Sequence, residues 1–147
     1  MKQDLYSLLK QHNNHLQDAF TRYSLTVQDE GFRKFLKSMK SQEKSQQETV
    51  DEHAAELSSC SGRTQTITDI VRRISKFSLA SEELIQLPRQ EYLKHMVEMG
   101  KYTEQLYHES EAVCQSLQLK ELLHSLYEEE KRHIALLEDR LELEQLL

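Results

Sequence analysis

The stretch from Leu117 to Leu146, LQLKELLHSLYEEEKRHIALLEDRLELEQL, decides the fold of this 147-residue chain. Its apolar residues recur at steps of three and four, the spacing that keeps one face of an α-helix turned toward a core. Two ionisable residues stand within that stripe, so the sequence predicts a long amphipathic helix with a polar centre. The stripe consists of Leu119, Leu122/Leu123, Leu126, Glu130, His133, Leu137 and Leu141.

The same spacing predicts three more long helices and one short helix upstream. Asp29-Glu30-Gly31 separates the first two, because glycine tolerates the left-handed conformation that often ends a helix. Pro88 suits the first turn of the last of them. At this length, residues 1–147 are expected to form a single domain. The predicted upstream helices run from about Lys2 to Gln28, Phe32 to Ser58, Ile67 to Phe77 and Arg89 to Gln115. The stripe predicted for the first of them consists of Leu5, Leu9, His12, Leu16, Ala19, Tyr23 and Val27.

The lengths of the connections predict how these helices are arranged. Short joins between the first and second helices, and between the third and fourth long helices, favour two antiparallel hairpins. The connection of roughly 30 residues between the hairpins is long enough to cross the length of a bundle. It contains a polar stretch, Ser58 to Thr64, and the short helix. The expected fold is all-α: a ferritin-like antiparallel four-helix bundle of two helical hairpins with a long crossover carrying a short extra helix.

The two predicted hairpins resemble each other in polar as well as apolar positions. In the second, Glu130 and His133 form a Glu-x-x-His in which both side chains face the same way, since residues three apart share a helix face. A carboxylate in a bundle core is costly unless it is paired, hydrogen-bonded, protonated or bound to metal. The aligned polar pairs are Tyr23 with Tyr107, Glu43 with Glu130, and Gln46 with His133.

The segment from Tyr107 to Leu137, together with the run YEEEKRHIALLE at residues 127–138, resembles the second hairpin of the rubrerythrin branch of the ferritin-like superfamily. The resemblance implies a four-helix bundle, often a homodimer, that holds two irons reacting with peroxide or oxygen. In that family each hairpin supplies one glutamate seven residues before a tyrosine, and a Glu-x-x-His from its second helix. Tyr23 and Tyr107 occupy the positions of tyrosines that hydrogen-bond the carboxylates.

Only part of the family's ligand set is present in this chain. Glu43, Glu130 and His133 match, whereas Gln46 stands where a second histidine is expected, and an amide is a poor iron ligand. Three of six ligands therefore remain. They suit one iron, manganese or zinc ion, and a full di-iron centre is not expected because it would lack negative ligands. The two other ligand positions hold Leu16 and Gly100.

These residues leave two functions open. In the first, Glu43, Glu130 and His133 hold a metal ion that handles peroxide or oxygen, with Tyr23, Tyr107 and Gln46 around them. In the second, the same side chains close a metal-free hydrogen-bond network. The chain would then be a non-catalytic bundle that serves as a binding or assembly module, as a homodimer. The sequence names no small-molecule or protein partner.

Composition argues against several other functions. Nineteen basic and twenty-five acidic residues give a formal net charge of −6. The basic surface that nucleic acids and anionic membranes require is therefore not expected. No apolar run approaches about 18 residues, and the polar start does not resemble a signal peptide, so a cytoplasmic location is expected. Cys60 and Cys114 stand alone, and in a reducing cytosol no disulfide is expected between them.

Overall fold

The computed structural model of the chain describes residues 4–60 and 64–147, except for the side chain of Ser81. The described chain is all-helical, as predicted, and it contains no β-strand. The predicted helix start at Lys2 and the middle of the polar stretch, residues 61–63, lie outside the described residues. The helices are α1 (Leu5–Thr26), α2 (Glu30–Glu52), α3 (Ala54–Ser58), α4 (Gln65–Phe77), α5 (Ser81–Leu84), α6 (Arg89–Val113) and α7 (Leu117–Leu146).

Side-chain caps, rather than glycine, separate the helices of each hairpin. The Asp29 carboxylate accepts the backbone N–H of Phe32 at 2.9 Å and so begins α2. Gly31 lies inside α2, and no described residue has a positive φ, so the expected left-handed glycine between α1 and α2 is wrong. Ser116 caps α7 in the same way, with its hydroxyl 3.4 Å from the backbone nitrogen of Leu119.

The second predicted helix is divided in the structure into α2 and α3. His53 separates them, with φ −114° and ψ 24°, outside the α-helical region. The break allows α3 to pack against the start of α1, so that Leu57 is fully buried and the carbonyl of Cys60 accepts the Leu5 N–H at 3.2 Å. The apolar spacing continues through the break, and for this reason the sequence pattern alone predicts one helix.

Contacts near helix ends give the direction of each hairpin. The Tyr6 hydroxyl, near the start of α1, donates to the Asp51 carboxylate, near the end of α2, at 2.8 Å. The Gln90 amide, at the start of α6, donates to the carbonyl of Glu144, at the end of α7, at 3.3 Å. Both hairpins are therefore antiparallel, as the short joins predict.

Contacts between the hairpins also join antiparallel neighbours. The Tyr92 hydroxyl, near the start of α6, donates to the Ala19 carbonyl in the second half of α1 at 3.2 Å. The Arg140 guanidinium, near the end of α7, lies 5.3 Å from the ring centre of Phe32 at the start of α2. Since α2 and α6 consequently point the same way, the connection of residues 53–88 runs from one end of the long helices to the other. Within it, α4 packs against α6.

The core consists of two apolar clusters separated by buried polar side chains. The first cluster lies where α1 ends and α6 begins, and it includes Phe32, Tyr92 and Leu137. The second lies at the opposite end and includes Leu5 and Leu123. No helix in residues 4–60 and 64–147 is both long enough and apolar enough to cross a membrane. Between the clusters are buried His12, Asn13, Glu43, Gln46, Thr103, Glu130 and His133.

Candidate metal site

The structure brings the three predicted metal ligands together between α2 and α7. His133 Nδ1 lies within hydrogen-bond distance of both carboxyl groups, 3.1 Å from Glu43 Oε1 and 3.2 Å from Glu130 Oε2. One ligand atom from each residue lies within 4.8 Å of the others. All three are buried, with 1%, 2% and 6% of Glu43, Glu130 and His133 exposed. This group could hold a metal ion.

Burial and mutual repulsion set the protonation of the group. Burial raises the pKa of Glu130, and the neighbouring Glu43 charge raises it further, against the opposing effect of His133. Burial alone would lower the pKa of His133, but hydrogen bonds and charges from Glu130 and Glu43 raise it overall. The group therefore retains protons near neutral pH. Those protons compensate for negative charge that a divalent cation could neutralise instead.

One oxygen of the group has no partner. Glu43 Oε2 is buried and makes no hydrogen bond, whereas Glu43 Oε1 contacts His133. Leaving a buried carboxylate oxygen unsatisfied costs stability, and a bound cation removes that cost. Two carboxylates and one imidazole are ligands that iron, manganese and zinc accept. The residues present therefore fit a single metal ion.

A hydrogen-bonded chain extends from the group across the core to α1. Gln46 Nε2 lies 3.5 Å from His133 Nδ1, and the Gln46 oxygen accepts the Tyr107 hydroxyl at 3.0 Å. That hydroxyl also lies 3.1 Å from Asn13 Oδ1. Burial first, and then the charges of the two glutamates, raise the pKa of Tyr107 well above its usual value, so the phenol is a neutral donor. Gln46 thus contacts His133, and Tyr107 contacts Gln46.

Asn13 is a core residue of this chain that sequence reasoning missed. It is 1% exposed although it lies beside, not on, the apolar stripe predicted for α1. Its neighbour His12 is on that stripe and lies 2.5 Å from the Thr103 hydroxyl of α6. Two adjacent polar residues at mid-helix, where an apolar stripe would continue, are the available sequence signal for this polar layer.

Tyr23 is not brought to the three ligands. Its hydroxyl donates to the Leu87 carbonyl at 2.6 Å, and its ring stacks on Tyr92 with centres 3.7 Å apart. Tyr23 lies three residues before the end of α1, whereas Tyr107 lies six before the end of α6. At 1.5 Å per residue, Tyr23 is displaced by about 4.5 Å toward the hairpin end, away from the polar layer.

The two positions that lack ligands are filled by packing. A methyl group at Gly100 would lie 2.8 Å from Ile134 Cγ1 and 3.5 Å from Glu130 Oε1. Ile134 therefore occupies the space beside Gly100, and the glycine allows α6 and α7 to approach closely. Leu16 is 2% exposed and belongs to the first apolar cluster.

Comparison with known proteins adds no family to these observations. No protein-family model, no curated protein and no solved structure matches this chain. These comparisons therefore show no family for this chain. The geometry of the buried group is the finding on which a function can be based.

Proposed function

We propose that this chain is a ferritin-like helical bundle of the rubrerythrin type. Its metal site has fewer ligands than that family's site and binds one ion. Glu43, Glu130 and His133 would hold that ion. The observation that carries the proposal is the buried Glu43 Oε2, which has no hydrogen-bond partner although it stands beside two other metal-ligating side chains. A closed metal-free network would be expected to satisfy that oxygen.

The arrangement of the helices supports the ferritin-like part of the proposal. The four long helices contact antiparallel neighbours, and one long connection joins α2 to α6 from end to end. This is the connectivity of bundles in which carboxylates and Glu-x-x-His motifs face the interior. The family resemblance of the second hairpin is consistent with it.

The chemistry proposed for the site is the handling of peroxide or oxygen. Bound iron or manganese would supply redox chemistry and coordination positions that three protein ligands leave open. The surrounding residues would restrict the reaction. Burial of Glu130 and His133 excludes bulk water. The 3.0 Å hydrogen bond between Tyr107 and Gln46 fixes the polar side chains beside the site.

A metal titration tests this proposal. Chain purified in chelator and then exchanged into buffer with Fe²⁺, Mn²⁺ or Zn²⁺ should retain about one ion per chain for at least one of them. At about 100 times Kd, binding stabilises the fold by roughly 2.7 kcal/mol, which raises Tm by roughly 5–10 °C. Less than about 0.2 ion per chain, with no shift in Tm, would contradict the proposal.

Matched variants identify the ligands. Glu43→Gln and Glu130→Gln each remove one anionic ligand, and both should abolish retention of the ion. Glu138→Gln removes the same charge from an exposed position on α7 and should bind metal like the parent chain. Equal loss of metal in all three variants would point to general electrostatic attraction instead of a site.

A metal-free bundle that serves as a binding or assembly module is the second candidate. The favouring observation is that His133 Nδ1 lies within hydrogen-bond distance of both carboxylates. Replacing a buried ionic group by an apolar residue is often neutral or stabilising. Under this function, Glu130→Leu should gain stability without loss of homodimer assembly, measured by urea unfolding and sedimentation. Loss of metal uptake in that variant would instead support the first function.

A further inference from the structure

The two cysteines, which stand 54 positions apart in sequence, meet in the structure. Cys60 Sγ and Cys114 Sγ lie 3.3 Å apart. Neither cysteine belongs to a Cys-x-x-Cys motif, so the sequence gives no sign of this contact. Cys60 follows α3, and Cys114 ends α6. At the cysteine pair, the beginning of the long connection therefore lies next to the turn between α6 and α7.

Both cysteines are held in place by backbone hydrogen bonds at helix ends. The Cys60 N–H donates to the Leu57 carbonyl at 3.1 Å, and the Cys60 carbonyl accepts the Leu5 N–H at 3.2 Å. The Cys114 N–H donates to the Glu111 carbonyl at 3.3 Å. With both backbones fixed, a disulfide of about 2.05 Å needs the sulfurs to approach by roughly 1.2 Å, which side-chain rotation can supply.

The surroundings of the two thiols differ, and the difference determines which thiol reacts first. Cys60 is 9% exposed and lines a surface cavity of about 520 Å³ together with Glu56 and Val113. Cys114 is 2% exposed and does not line that cavity. Burial, followed by the contact with Cys60, raises the pKa of Cys114 to about 12, so Cys114 stays protonated while Cys60 is a free thiol. A reagent entering the cavity therefore reaches Cys60 first.

We propose that Cys60 and Cys114 are a covalent modification site that closes to an intramolecular disulfide by exchange with a low-molecular-weight disulfide. Cys60 loses its proton and attacks one sulfur of the reagent, which releases one small thiol and leaves a mixed disulfide on Cys60. Cys114 then loses its proton and attacks the Cys60 sulfur, which releases the second small thiol. The pair loses two electrons and two protons, and the reagent gains both.

The disulfide would crosslink two residues of the second apolar cluster and so stabilise the fold. That cluster contains Leu57 and Cys60 from the beginning of the long connection, and Cys114 and Leu119 from the turn between α6 and α7 and the start of α7. The disulfide would close a loop between two cysteines that stand 54 positions apart, which restricts the unfolded chain more than the folded one. The metal group lies elsewhere, between α2 and α7, so this inference does not depend on the proposed function.

Oxidation of the full-length chain tests the inference. The chain is incubated with excess oxidised glutathione in the presence of chelator, and a matched sample is kept in dithiothreitol. Peptide mapping should then find Cys60 linked to Cys114, with a rise in Tm of roughly 10 °C over the reduced sample. Thiols that both remain open to alkylation after oxidation and denaturation, or a disulfide between two chains, would overturn it.

Two single variants separate an ordered exchange from accidental oxidation. Cys114→Ser should stop at the mixed disulfide and carry one glutathione on Cys60. Cys60→Ser should leave Cys114 unmodified, because Cys114 does not line the cavity. If Cys114→Ser does not fold, Cys114→Ala provides the same readout in an apolar setting. Modification of Cys114 in the Cys60→Ser variant at the rate of Cys60 would contradict the proposed order.

Discussion

The two hairpins of this molecule share a sequence pattern but contribute unequally to its centre. The α6–α7 hairpin supplies Glu130 and His133, whereas the α1–α2 hairpin supplies Glu43 and, at the position that corresponds to His133, Gln46. The amide contacts both Tyr107 and His133, so it belongs to the same polar layer without serving as a metal ligand. The corresponding positions of the two hairpins therefore form one asymmetric group instead of two equal ones.

The difference shows how little is needed to change a buried site while keeping its scaffold. Apolar residues at the aligned positions are buried in both hairpins, with Leu36 and Leu123 each fully buried. At the polar positions, the Gln46 amide of the first hairpin has neither the positive charge nor the metal-ligating nitrogen of the His133 imidazole in the second. A shift of three residues along the helix brings Tyr23 to the Leu87 carbonyl, while Tyr107 stays in the polar layer.

The largest effect should come from removing the imidazole of the second hairpin. In chelator, His133→Ala should lower the free energy of unfolding by about 3–5 kcal/mol, because it leaves two buried carboxylates without their partner. The corresponding change in the first hairpin, Gln46→Ala, should cost about 1–3 kcal/mol, the range for neutral hydrogen-bonding groups. Urea unfolding of both variants measures the difference. Equal losses would mean that the two hairpins contribute alike after all.

The buried histidine of the first hairpin should give the next largest effect, and it depends on pH. Burial, with a smaller contribution from His15, lowers the pKa of His12 to about 4. Between this pKa and the usual value of about 6.5, the unfolded chain binds the extra proton, so stability falls as pH decreases. The contribution of His12 to this loss should reach about 3 kcal/mol near pH 4.

Comparison with His12→Gln isolates that contribution. The glutamine can still bond the Thr103 hydroxyl but does not titrate. Urea unfolding at pH 7 and pH 4.5 should show a steeper loss for the parent chain than for the variant. A parallel decline in the two proteins would assign the acid sensitivity to other groups.

The smallest effect should come from the glycines, one in each hairpin. Gly100→Ala places a methyl group 2.8 Å from Ile134 Cγ1 and should cost about 1–2 kcal/mol through overpacking. Gly31→Ala meets only the Asp29 side chain at 3.4 Å, at an exposed position of α2, and should be neutral or stabilising by up to about 1 kcal/mol. Thermal unfolding of both variants checks the opposite signs. A neutral Gly100→Ala would show that α7 can move away without cost.

Much of the fold and part of the site could be predicted from local spacing. The stripe predicted for α1 is buried from Leu5 to Val27, and α7 has the predicted bounds. Glu130 and His133 were identifiable because an i, i+3 pair stands inside an apolar stripe. Such spacing depends only on helix geometry, which each segment carries by itself.

Several features could not be predicted because they depend on contacts between distant segments. The break at His53 and the meeting of Cys60 with Cys114 leave no mark on the apolar spacing of one helix. The separation of Tyr23 from the carboxylates follows from its place three residues nearer the end of its helix than Tyr107, and the end of each helix is set by the packing of the hairpin.

The sequence by itself determined the helices and the faces they bury, since side-chain periodicity acts within each segment. Only the tertiary structure decided which buried polar atoms meet. It joined Glu43 to His133 across two helices while leaving Glu43 Oε2 without a partner. The physical reason is that a hydrogen bond or metal ligand set depends on distances of a few tenths of an ångström between segments, and those distances are fixed only when all the helices pack together.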